Sequence, residues 1–304
     1  MQNVVTISNA GTSASFNVRG AELHRLTHAG RDQLWHGDPV WWDFRAPILF
    51  PVIGRSPHDR IRISEIQYPM PSHGFARDRD FRLVEGSADR VAFELFDDDA
   101  SRAMFPFPFV LRIEAVARDS ELALTASIRN RGTEAMPYCF GFHPAFLWPQ
   151  EVAARNRYVC LFEKAEAETI RRPDLPSGLL KRQCFASPLV DRTLRLDDGL
   201  FADGALIFDA VRSRRLWFGP PGANGIEVDF PDCPQLGIWT KPGAPFLCIE
   251  PWQGTSAIEG SDGMLSSRPG VRHLAPEETH RYRLSVRLDV SAHDAARFDS
   301  GAQV

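Results

Sequence analysis

A strict two-residue hydrophobic period is the feature that most limits what this chain can become. In ELALTASIR, Leu122, Leu124, Ala126 and Ile128 fall on one side, and Thr125 and Ser127 on the other. In HRYRLSVRLDV, Tyr282, Leu284, Val286, Leu288 and Val290 alternate with Arg281, Arg283, Ser285, Arg287 and Asp289. Successive side chains of a strand point to opposite faces, so this period means strands with one buried face. VVTIS (4–8), SFNV (15–18), VAFELF (91–96) and FVLRIEAVA (109–117) read the same way, and RRLWFGPPGANGIEVDF reads as strand, turn, strand. The 23 prolines and 22 glycines are spread through the chain as turn punctuation. Strands do not alternate with long amphipathic helices, which argues against doubly wound and TIM-type folds. The prediction is an all-β fold, a large antiparallel β-sandwich, as a single domain over 1–304. The polar stretch 163–200 is expected to be a long surface excursion, and the tail from about Ser291 to fray.

Composition narrows the function classes. With 304 residues, 43% hydrophobic and 24% charged, the chain is long enough to bury a large core without staples. A formal net charge of −4 argues against a nucleic-acid partner. Five scattered cysteines, odd in number and without Cys-x-x-Cys spacing, argue against a disulfide framework or zinc ribbon. Reduced thiols in a cytoplasmic protein are expected. The N-terminus does not read as a secretory signal, and no apolar run approaches the roughly 20 residues a membrane span needs.

Four segments place an ionisable residue among aromatics, glycines and prolines: APILFPVIGR with Arg55, SHGFARD with His73 and Arg77, GFHPAFLWP with His143, and FLCIEPWQG with Glu250. A polar group in such company is either a hydrogen-bonded core residue or part of a pocket. His143, extended by the following proline, could hold a pKa near neutrality and donate a proton, or be satisfied by a backbone carbonyl. Glu250 ends an apolar run, as a general base or as half of a structural ion pair. Arg55 could offer donors to hydroxyls or end a strand in solvent, and Asp203 in FADGALIF reads as a turn aspartate. Gly-x-Ser-x-Gly, His-Glu-x-x-His, P-loop and Gly-x-Gly-x-x-Gly patterns are absent. Two distant histidines without a further ligand at metal spacing make a weak zinc case. Trp35, Trp41, Trp42, Trp239 and Trp252 are candidates for stacking on sugar C–H faces.

In order along the chain, LFPVIGR, HGFAR, FGFHPAF, ALIF, LGIWT and CIEPW resemble the aldose 1-epimerases, the galactose mutarotase-like family, and within it the LacX-type branch. The resemblance runs from GAEL at 20–23 to the last strands before Ser291 and implies a large antiparallel β-supersandwich. It implies that His143 protonates the ring oxygen of a sugar and that Glu250 takes the proton of the C1 hydroxyl, the two facing each other across the ring. Arg55 and His73 would hydrogen-bond the sugar, and Asp203 would bind a hydroxyl. Where well-known galactose mutarotases carry Asn-Arg-Ile after the arginine, this chain reads SPHDRIR. The expected activity is interconversion of α and β anomers of a small-molecule aldose without metal or cofactor, by a monomer or homodimer away from nucleic acid and membranes. A hexose 6-phosphate substrate, met by Arg77, Arg79 or Lys241, is one alternative; a catalytically idle sugar-binding protein on the same fold is another.

Overall fold

The structure is a computed structural model that describes residues 4–292 and 294. Beyond these, the tail expected to fray lies outside the described residues. The alternating segments all fold as strands. Glu121–Asn130 and Thr279–Ser291 pair antiparallel at the centre of a nine-stranded sheet, with Leu122 opposite Val286 and Ala126 opposite Tyr282. Phe109–Arg118, Arg90–Phe96 and Arg82–Gly86 extend it on one side. Asn224–Asp229 and Arg215–Gly219, the predicted pair around the Gly/Pro turn, extend it on the other. Tyr282, Leu284, Val286 and Leu288 are buried, while Arg281, Arg283 and Asp289 are exposed. Each such buried side chain contributes on the order of 1.5–3 kcal/mol. Helix appears as single turns, Asp99–Arg102 and Val152–Arg155 among them.

A second sheet behaves differently and positions everything that follows. Leu206–Phe208, Gln235–Trp239, Phe246–Gln253, Phe140–Phe142 and Ile48–Leu49 run side by side, with Ala145–Leu147 also pairing with Phe246–Gln253. Leu236, Ile238, Leu247, Ile249, Phe140 and Phe142 point into the same core as the nine-stranded sheet. Phe140 stacks on Tyr282 at 5.0 Å between ring centroids, joining the two sheets. The opposite face of this second sheet carries Ile207, Gly237, Trp239, Cys248, Glu250 and Trp252. It is covered in turn by loops from 34–46, 51–56 and 171–180. A sheet buried on both faces reads as a continuous apolar run instead of an alternation.

The 163–200 stretch does more than wander over the surface. Apart from the short strand pair Thr169–Ile170 and Phe185–Ala186 and the strand Thr193–Arg195 at the edge of the nine-stranded sheet, it is largely irregular, yet Leu180 donates its N–H to Ala257 O at 2.8 Å and is buried. This excursion walls the face just described.

Candidate active site

That covered face holds a cavity of about 460 Å³, lined among others by Trp42, His73, Arg77, His143, Trp239, Glu250 and Trp252. Its volume lies in the range of small-molecule sites. Its floor follows from two glycines. Ideal Cβ atoms at Gly141 and Gly237 would lie 2.5 and 2.6 Å from the Trp252 indole. Only glycine on the flanking strands lets that ring lie flat across the sheet. Period-two geometry then sets Cys248, Glu250 and Trp252 in a row on the cavity face.

His143 and Glu250, far apart in sequence, meet in the cavity wall. His143 Nε2 stands 2.9 Å from Glu250 Oε2, and both residues are buried. The imidazole is stacked on Trp42 at 4.9 Å and met edge-on by Trp239 at 6.2 Å, so two indoles box it in. His143 Nδ1 has no hydrogen-bond partner. The expected arrangement, acid and base on opposite sides of a ring, is replaced by direct contact.

His73 lines the cavity with its ring 5.6 Å from that of His143. Its Nδ1 accepts the Gly54 N–H at 3.2 Å, which leaves Nε2 as the protonated donor. Burial, then the neighbouring His143 ring and the charges of Arg77 and Arg268, push its pKa well below the usual value of 6.5. The ring is therefore neutral at neutral pH. The unfolded chain takes up a proton at His73 near pH 6.5 that the native chain refuses, so this group makes stability fall as pH drops through that value. His73→Gln is expected to flatten the acid side of the urea-unfolding profile, where one such proton is worth at most about 1.4 kcal/mol per pH unit. An unchanged slope would show His73 titrating normally.

Arg268 fixes the loop that holds His73. Fully buried, it donates to Thr255 O at 2.8 Å, Ser56 Oγ at 2.8 Å and Arg55 O at 2.8 Å, and also to Ile53 O. It thus clamps both carbonyls flanking Gly54. Among the described residues no carboxylate pairs with it, and desolvation lowers its pKa. Glu22, from the GAEL segment, does similar work for the loop after Trp42. Its Oε1 accepts the Arg45 and Ala46 N–H groups at 2.7 and 3.0 Å. Neither role had a signal in the sequence, because each depends on which carbonyls and amides the fold brings near.

The remaining candidates lie elsewhere. Arg55 is not among the lining residues; its side chain is about half exposed, 3.9 Å from Asp59, with its carbon stem against Gly178 of the cavity wall. Asp203 is an exposed turn residue near Arg172, while its neighbours Gly204 and Ala205 line the cavity. Arg79 pairs with Asp98 at 3.3 Å, and Lys241 donates to Val40 O at 3.3 Å, both away from the cavity lining. Arg77 does line it, over the Phe44 ring at 4.7 Å. Its Nε makes no hydrogen bond, the Asp78 carboxylate standing 3.7 Å away. All five cysteines are free, four of them buried.

Comparison with known proteins finds relatives over nearly the whole chain. Protein LacX of Lactococcus lactis subsp. lactis, plasmid-encoded, is 29% identical over 296 residues, which cover 93% of this chain and 99% of that protein. The solved structure of a galactose mutarotase-like protein from Lactobacillus casei superposes with a TM-score of 0.88 at 28% identity, covering 94% of this chain and all of that one. That of a galactose mutarotase related enzyme from Lactobacillus acidophilus gives 0.85 at 27% identity, with coverages of 94% and 97%. The sequence model of the aldose 1-epimerases matches residues 3–260, most of the chain and every segment that builds the cavity, and the chain belongs to the aldose 1-epimerase family.

Proposed function

We propose that this protein interconverts the α and β anomers of an aldose, with His143 as the acid and Glu250 as the base. The observation that carries this reading is their 2.9 Å contact in the wall of a cavity of small-molecule size. Opening the ring requires a proton to leave the C1 hydroxyl and one to reach the ring oxygen. An imidazolium–carboxylate pair supplies both: Glu250 accepts the first while His143 Nε2 gives the second. The pair is then neutral imidazole and carboxylic acid. Rotation about C1–C2 turns the aldehyde, and closure on the other face reverses both transfers. No net proton is exchanged with solvent, and the pair is ready again. Trp252 offers its face to the C–H side of the sugar. His73 Nε2 and Arg77 Nε hold hydroxyls in register. Arg55 and Asp203, outside the cavity lining, take no direct part in this reading.

Arg77 favours one second reading. Its guanidinium lines the cavity wall beside the Asp78 carboxylate at 3.7 Å, and an arginine there also suits an anionic substituent, so an aldose 6-phosphate belongs in the same test. Anomer exchange measured by NMR over free aldoses and their 6-phosphates is expected to show acceleration above the spontaneous rate for at least one of them. A wild-type protein that accelerates none would end the enzymatic reading and leave sugar binding alone.

A further inference from the structure

Cys248 has no part in the proton transfers, yet it stands beside the groups that make them. The alternation of Phe246–Gln253 puts its thiol on the face of Glu250, and one donor atom each from His143, Cys248 and Glu250 lies within 4.8 Å of the others. All three residues are buried. A nitrogen, a sulfur and an oxygen donor form a set for a borderline-soft cation; Mg²⁺ and Ca²⁺ prefer all-oxygen shells. Zn²⁺ takes sulfur at about 2.3 Å, imidazole at about 2.0–2.1 Å and carboxylate at about 2.0–2.2 Å, in a tetrahedron. Drawing donors within 4.8 Å onto such a centre takes side-chain rotations of about an ångström. His143 and Glu250 line the cavity, so a fourth coordination position would face it. Trp42 and Trp239 close the other side around the imidazole.

We propose that His143, Cys248 and Glu250 form a three-ligand site for Zn²⁺, and that zinc bound there switches the protein off. The second half rests on the acid–base reading above; the first does not. Binding displaces the Cys248 thiol proton and any proton held between His143 and Glu250, and these go to solvent. Once zinc is bound, Glu250 no longer offers a lone pair to the C1 hydroxyl and a ring nitrogen of His143 is tied up. The cation and the reacting sugar therefore compete for the same groups.

The test uses the full chain, stripped with a chelator, in a Cys184→Ser background that removes the exposed thiol. Titration with Co²⁺, a spectroscopic stand-in for Zn²⁺, is expected to give a thiolate-to-cobalt charge-transfer band and strong visible bands of a tetrahedral centre. Zn²⁺ should bleach both. Cys248→Ser should abolish the charge-transfer band. It should also raise the zinc concentration for half-inhibition, each variant scored against its own zinc-free rate. That rise should exceed the roughly 10- to 100-fold typical of losing an outer hydrogen-bonding partner of a metal ligand. If Cys248→Ser does not fold, Glu250→Gln must weaken Co²⁺ binding with the thiol intact. Absence of the band in the wild type, or its persistence in Cys248→Ser, overturns the site even if anomerisation is fast. A wild type that gives the band but turns over no sugar supports the site and counts against the acid–base reading.

Discussion

Replacing Glu250 by glutamine is expected to lower kcat for anomer exchange by about 10²- to 10⁴-fold, the range for loss of one general acid or base. Glutamine is nearly isosteric, and its amide oxygen still accepts from His143 Nε2, so the buried contact survives without a proton acceptor for the sugar. The proposed sugar contacts of His73, Arg77 and Trp252 are left in place, so KM should move little. His143→Asn should cost a similar factor, because the asparagine amide can donate a hydrogen bond to the ring oxygen but cannot transfer a proton to it. The double variant should be scarcely worse than either single one, because the two groups act as a unit. Polarimetry or NMR exchange gives the rates, and a thermal melt followed by circular dichroism checks the fold. Wild-type rates in both single variants would remove the pair from the chemistry.

The two sheets were unequally legible. The nine-stranded sheet has one face in the core and the other toward solvent. Its strands therefore alternate, and Leu122, Leu124, Ala126 and Ile128 announced both strand and face. The sheet that carries the site is covered on both faces, so FLCIEPWQ has no polar side to reveal its period. What stood out there was a carboxylate out of place. Glu250 and His143 were visible for that reason: ionisable groups in apolar runs need partners, and each is the other's partner.

Legibility ended where the function depends on which distant segments the fold brings together. Arg55 ends a conspicuous apolar run, but its side chain turns outward to Asp59 while its backbone carbonyl accepts from Arg268. Gly204 and Ala205, not Asp203, line the cavity. Leu175 and Leu180, in the polar 163–200 excursion, build the wall because the chain returns there to pair with Ala257. A residue's type can show that it is unusual. Only the packing of distant segments decides whether the side chain or the backbone is what matters.

The glycine of HGFAR illustrates this last point and yields a large effect at a position that touches no substrate. Gly74 has φ of +76°, and an ideal Cβ there would lie 2.1 Å from Phe50 O and 2.4 Å from Phe50 C. That carbonyl cannot retreat freely. It accepts the N–H groups of Phe75 at 3.0 Å and Ala76 at 3.2 Å, and the Phe50 ring is fully buried against Phe75, Phe105, Phe109 and Tyr138. Gly74→Ala should therefore cost about 2–4 kcal/mol, from overpacking of about 1–3 kcal/mol and about 1 kcal/mol of left-handed backbone strain. The strain also reaches the site. His73 is the preceding residue, itself at φ of +65°, and its N–H is held by Gly54 O at 2.9 Å. A displaced turn moves the Nε2 donor off the sugar, so in protein that still folds KM should rise more than kcat falls, the reverse of the Glu250→Gln result. Urea unfolding gives the first quantity and anomer-exchange kinetics the second. A variant as stable as the wild type would show that the Phe50–Gly74 contact relaxes easily. A loss of kcat with unchanged KM would show that the turn serves the dyad and not the donor.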